Sequence, residues 1–240
     1  MKRVIILLFS FLSVCNLYSQ NTIVYQSGIT GAENLKAIEN MGPYTAAAVG
    51  FDTRYEGIKG TTRLFDTLFA SSLLLRGQTS YIRLNSDLDI VNNSLVFKQS
   101  GTGELMEIPS DVVAELIVNK EDKTLIFRNV KEISFKDKIE GNKFYQVLKE
   151  SPNKFIRIPE KKFIKADYGR VYGPDIRYDE LKLIYKYYIE DSGNIFQRVQ
   201  LNEKSLAKQF PDKKELIYRY FEENPDGDIE EKVISILNQF

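Results

Sequence analysis

Histidine and tryptophan are absent from this chain, and its one cysteine, Cys15, falls within the first twenty residues. Imidazole is the side chain whose ordinary pKa lies nearest neutrality, and with thiolate it supplies most zinc and copper sites. Ser-His-Asp triads, cysteine proteases, zinc hydrolases and histidine-ligated haem are therefore excluded. An enzyme built here would have only carboxylates, Lys, Tyr, Ser and Thr, which leaves carboxylate pairs, Ser-Lys dyads and oxygen-ligated ions such as calcium. A lone cysteine also rules out any disulfide within the chain. An excess of charge of one sign is missing too, since 33 basic residues stand against 33 acidic ones. The overall balance draws the chain neither to nucleic acid nor to anionic lipid.

Long apolar runs are scarce, and the clearest occupies residues 4–14, behind Lys2 and Arg3 and before a polar exit at residues 16–19. This is the pattern of a secretory signal peptide over residues 1–19, cut between Ser19 and Gln20. The run spans about eleven residues, roughly half of what a permanent membrane-crossing helix needs. The expectation is export to the periplasm or the outer membrane with no transmembrane helix in the mature chain. Removing Lys2 and Arg3 leaves 31 basic against 33 acidic residues. Leu12-Ser13-Val14-Cys15 has the outline of a lipobox, but the branched Val14 stands where a small residue is needed, so a lipid anchor at Cys15 is not expected.

The mature chain is long enough to bury a core without disulfides or metals. Residues 20–50 carry Gly28, Gly31, Gly42 and Pro43 and little periodicity, and read as a weakly structured N-terminal arm. Residues 51–201 read as an antiparallel β domain. In residues 78–91, Ile82, Leu84, Leu88 and Ile90 alternate with Arg83, Asn85, Asp87 and Asp89, the period of a half-buried strand. A turn at Asn92-Asn93-Ser94 leads to a return strand over 95–99. Further strands are expected at 104–108, 116–119, 124–128, 143–148, 155–158 and 163–165, with a helical turn after Pro109. A last hairpin places Leu181, Leu183, Tyr185, Tyr187 and Ile189 on one face and turns at residues 191–194.

Beyond residue 201 the period becomes helical. Asn202 and Asp228 are placed to cap helices, Pro211 suits a first turn, and residues 224–227 break the run. The predicted class is therefore α+β: an antiparallel β-rich body, a meander forming an open or half-barrel sheet, followed by a C-terminal helical pair at 202–240 packed on it.

Several stretches carry a resemblance: Gly60-Thr61-Thr62-Arg63-Leu64-Phe65, Asn93-Ser94-Leu95-Val96-Phe97, Lys143-Phe144-Tyr145-Gln146-Val147-Leu148, Lys165-Ala166-Asp167-Tyr168, and residues 206–214. With the leader ending in Ser19-Gln20, they resemble a family of uncharacterised secreted proteins abundant in Bacteroidota genomes. The resemblance implies a periplasmic or outer-membrane-facing address; that family carries no agreed activity or catalytic residues, so none are transferred from it. The chain departs from that pattern in its long arm before Phe51 and in Pro152 and Pro159, which interrupt the middle strands.

No catalytic set, cofactor site or metal site is legible. Asp87 and Asp89 lie two apart on one strand, a spacing open to acid/base work or calcium, but the polar face of a half-wet strand explains them better. Asp66-Thr67-Leu68 has the outline of an O-glycosylation triplet, although Phe65 and Phe69 on either side point to burial. Tyr185, Tyr187 and Tyr188 read as sheet packing in preference to a sugar platform. Lys204-Ser205 are helical neighbours that do not face each other.

Recognition is best placed in residues 167–179, where Tyr168, Tyr172 and Tyr178 offer rigid faces and Arg170 and Arg177 forked donors. The expected function is a non-enzymatic binding or structural module of the cell envelope, meeting another envelope protein or a cell-surface component and not nucleic acid. A carrier or sensor holding an apolar ligand in a curved sheet is the second reading. A carboxylate-dependent hydrolase is the third.

Overall fold

The structure, a computed structural model, describes residues 47–48, 55, 57–99, 103–166 and 178–240. Among them the strands are β1 (Ala47–Ala48), β2 (Phe69–Leu75), β3 (Ile82–Asp89), β4 (Ser94–Lys98), β5 (Leu105–Pro109) and β6 (Val113–Lys120). They continue with β7 (Lys123–Asn129), β8 (Ser134–Phe135), β9 (Phe144–Lys149), β10 (Phe155–Ile164), β11 (Glu180–Glu190) and β12 (Ile195–Val199). All belong to one sheet, in the order β1-β5-β4-β3-β2-β6-β7-β9-β10-β11-β12-β8. Every pairing is antiparallel except the short parallel contact of β8 with β12. Three helices follow, α1 (Glu203–Gln209), α2 (Lys214–Glu223) and α3 (Ile229–Leu237), so the class is α+β with an open sheet.

Local chemistry explains the hairpins. Asn93, Glu121 and Asn194 each take a positive φ at the turns joining β3 to β4, β6 to β7 and β11 to β12, a conformation that Asn in particular tolerates. Alternation then assigns each strand two faces. On one face Leu73, Leu88, Leu95, Ile108, Leu116 and Phe127 close over one another, fully buried, with Phe144 from β9 and Leu183 from β11 at the margin. On the same face further along, Phe155, Ile189 and Val199 pack beneath the helices, against Leu206, Ile217, Val233 and Ile236. The opposite face of β9–β12 makes a third cluster of Tyr145, Ile156, Ile158, Tyr188 and Phe196 under Phe135 and Ile139.

The first core closes because the sheet curls. Lys59 bridges in parallel to Glu180 at the edge of β11, and Arg63 bridges to Asp89 at the edge of β3. The seven residues from Lys59 to Phe65 thus span the two edges, with Leu64 buried in the first core. Gly60 makes this crossing possible: its φ is +96°, and a Cβ there would stand 2.7 Å from the Leu181 carbonyl oxygen. Only glycine meets both demands without strain.

The helices are fixed as their capping residues suggest. The Asn202 side chain accepts from the Ser205 N–H at 2.9 Å and that of Asp228 from the Glu231 N–H at 3.0 Å. Glu230, in the first turn of α3, accepts from Arg157 at 2.5 Å and from the Tyr187 hydroxyl at 2.7 Å, while the guanidinium lies over the Tyr185 ring at 4.2 Å. Charge, hydrogen bonds and cation–π contact therefore join α3 to β10 and β11.

The structure adds detail to these expectations and corrects one. The first member of the C-terminal helical pair is divided into α1 and α2 by Phe210 and the turn at Pro211–Lys213. Ala47 and Ala48, at the end of the expected arm, pair with Met106 and Glu107 of β5. Strand β2, whose Leu73-Leu74-Leu75 run hides any alternation, lies near the middle of the sheet order. Pro159 does not interrupt its strand but sits inside β10 opposite Tyr185. The ladder to β9 ends at Arg157, so the missing N–H falls where no neighbour on that side asks for it.

Replacing Gly60 with Ala should lower the urea midpoint by the equivalent of at least about 1 kcal/mol, from positive φ and the carbonyl clash together. Gly57, with φ of +76° and open space around it, should lose less on the same change. Equal effects at the two sites would mean that the crossing segment is not closely held.

Candidate functional site

Strands β10 and β11 extend as a long hairpin whose outer end is pinned by one side chain. Asp179 accepts from the Ala166 backbone N–H at 2.7 Å, and Lys59 exchanges backbone hydrogen bonds with Asp179 and Leu181 at 2.8 and 2.9 Å. At this end Phe163 is 48% exposed and Tyr178 65% exposed. Two large aromatic side chains thus stand in solvent near the chain crossing. Of the recognition residues expected from sequence, Tyr178 is placed here, whereas Tyr168, Arg170, Tyr172 and Arg177 lie outside the described residues. Phe163 was not singled out by sequence, because a strand of alternating apolar residues gives no sign of where its cover ends.

Asp87 and Asp89 are not on a wet face. Both are buried, Asp87 completely, because residues 62–66 run beside the end of β3. Asp89 is saturated: it accepts from Thr62, from the backbone N–H groups of Val91 and Asn92, and from the Asn92 amide. Asp87 is not. Its Oδ1 takes the Leu88 and Phe65 N–H groups at 2.7 and 3.2 Å, while Oδ2 is buried with no partner. Burial pushes this carboxyl above its usual pKa, against the pull of the Leu88 and Phe65 N–H groups and the Arg63 charge. Across the crossing segment, burial lowers the Lys161 amine, opposed by the charges of Asp87, Asp66 and Asp89. Asp66 and Thr67 are themselves exposed, so the flanking phenylalanines do not bury that triplet.

A cleft of about 270 Å³ opens on the far face, lined by Arg128, Glu132, Ile133, Tyr145, Val147, Glu150, Lys154, Ile156 and Phe196. Its charges answer one another: Arg128 binds Glu115 at 2.7 Å and Glu150 at 2.9 Å, Glu132 takes Arg76 at 3.0 Å, and Lys154 takes Glu190 at 3.1 Å. The Tyr145 phenol is pushed up to about 12, by burial first. Glu115 and Glu150 are carboxylates that converge, and one guanidinium occupies the space between them. A hydrolytic pair needs a free acid and a free base there.

Other candidates resolve into structure. Tyr187 hydrogen-bonds Glu230 and Tyr185 lies under Arg157, which makes them sheet-to-helix packing. Ser205 accepts from the Gln200 N–H at 3.0 Å, which engages its hydroxyl in the turn before α1. Among the described residues no three His, Cys, Asp or Glu side chains are grouped to hold a metal ion, and no helix is long and apolar enough to cross a membrane. No protein-family model, curated protein or solved structure matches the chain.

The state of Asp87 is open to measurement. Its carboxyl keeps a proton to higher pH in the folded than in the unfolded chain, so rising pH favours unfolding from the ordinary value of 3.8 upward until the folded group has itself ionised. Asp87→Asn removes that titration. The stability of the variant relative to wild type should therefore rise with pH from 3.8 upward, levelling off only once the folded carboxyl has ionised. A difference that stays flat or falls would show that Asp87 is not destabilised as a carboxylate.

Proposed function

We propose that the protein is an exported, non-enzymatic binding module of the cell envelope, which meets a partner protein or surface component with the outer end of the β10–β11 hairpin. The observation that carries this reading is the exposure of Phe163 and Tyr178 where Asp179 and Lys59 hold the backbone firmly. An aromatic side chain held out on a braced scaffold loses little entropy on binding and buries a large area. The leader pattern at residues 1–19 supports export, and the lack of imidazole and thiol in the remainder removes the commonest catalytic groups.

Neither alternative has comparable support. The concave face is filled by its own Leu and Phe side chains, where a carrier of apolar ligands needs room. The converging acids Glu115 and Glu150 are both engaged by Arg128.

A photo-reactive residue at position 178, in protein expressed in its native host, should give a discrete cross-linked species in the envelope fraction, while one at position 222 on α2 should not. Phe163→Ala with Tyr178→Ala should abolish a partner's binding and leave stability within about 0.5 kcal/mol, as for surface changes in general. Intact precursor confined to the cytosol, or cross-linking equal from both positions, would refute the proposal.

A further inference from the structure

The hairpin also carries a feature on its other face that packing does not explain. Lys162 and Lys182 are direct cross-strand partners, both are exposed, and neither has a carboxylate partner among the described residues. Like charges set opposite one another, about 5 Å apart at Cβ, destabilise a sheet. On the same face Lys186 binds Glu160 at 2.6 Å, and Lys143 reaches the same carboxylate at 2.5 Å. One acid thus serves two lysines. Burial works to raise the Glu160 carboxyl, but its bonds to Lys143 and Lys186 prevail and hold it below its usual value. Five ammonium groups, those of Lys143, Lys154, Lys162, Lys182 and Lys186, stand with three carboxylates, Glu160, Glu180 and Glu190, on this side of β10 and β11, so the even balance of the whole chain conceals a local excess of cations in a lysine row.

We infer that this row is a binding surface for a linear polyanion, an acidic polysaccharide laid along the hairpin. Lys182 and Lys186 are four residues apart on one strand, about 13 Å at the rise of an extended chain. The cations therefore run along the strand direction, as successive charges run along an extended polymer. A membrane fits less well, because Lys143 and Lys186 keep only 27% and 31% of their side-chain surface and a flat lipid surface would not reach them. Bound carboxylates relieve the Lys162–Lys182 repulsion, so cost in the free protein is recovered on binding. This surface is distinct from the aromatic end at Phe163 and Tyr178, and either stands without the other.

The test uses the full mature chain with polygalacturonate as probe, neutral dextran as control, and phosphatidylcholine vesicles with and without phosphatidylglycerol. Wild type should bind polygalacturonate at low salt, release it as salt rises, and ignore dextran. Lys162→Gln with Lys182→Gln should weaken binding about tenfold, while Lys204→Gln with Lys208→Gln on α1, an equal loss of charge, should leave it unchanged. Lys162→Glu gives the cross-strand pair opposite charges, and should raise the urea midpoint while weakening binding further. Tyr178→Ala should bind the polymer as wild type does. The inference fails if wild type does not bind polygalacturonate, if the α1 variant loses as much as the hairpin variant, or if anionic vesicles bind and the polymer does not.

Discussion

The pairing of β10 with β11 is the constraint on which the rest of the structure depends. Ten residue pairs run in unbroken register from Phe155 opposite Ile189 to Ile164 opposite Glu180. One end of that ribbon lies under the helices through Phe155 and Ile189, and the other lends Leu183 to the curled first core. Its reverse face supplies Ile156, Ile158 and Tyr188 to the third cluster. A slip of one residue would exchange the two faces and spoil all three. The crossing segment and the Arg157–Glu230 contact both fasten to this ribbon, one at each end.

Several groups ill at ease in the structure gather near one end of the ribbon. Elsewhere many charges are answered, Arg128 by two glutamates, Arg157 by Glu230 and Lys154 by Glu190, although Arg76, bound to Glu132, keeps a buried Nη2 with no partner. Around the outer end stand two exposed aromatic rings, a cross-strand pair of lysines and, behind the crossing segment, a buried carboxylate oxygen without a partner. Departures from local consistency tend to mark the places where a protein meets something else. That convergence, and not any single residue, is why recognition is placed on this hairpin.

Much of this was legible in the residues. Alternation with Asn-rich turns foretold the β3–β4 and β11–β12 hairpins, and the caps at Asn202 and Asp228 lie where polar residues precede helical periodicity. Strand β2 was not legible, since three consecutive leucines carry no period, and Pro159 argued for a break that an open strand edge makes unnecessary. The burial of Asp87 and Asp89 was hidden for another reason. Alternation separates two faces, but it does not reveal that a distant segment, residues 62–66, returns to cover the polar one. The lysine row was equally invisible, because strand partners twenty residues apart become neighbours only once the register is known.

If one ribbon unites the cores, the chain unfolds as one unit. Native-state hydrogen exchange on wild type and on Ile236→Ala, a fully buried position of α3, tests this directly. Loss of that side chain should cost about 2–5 kcal/mol. The slowest amides of β2, β3 and β6, far from the change, should lose the same protection as those of β11 and α3. Undiminished protection in β2, β3 and β6 while the helices and β12 alone become labile would contradict the account.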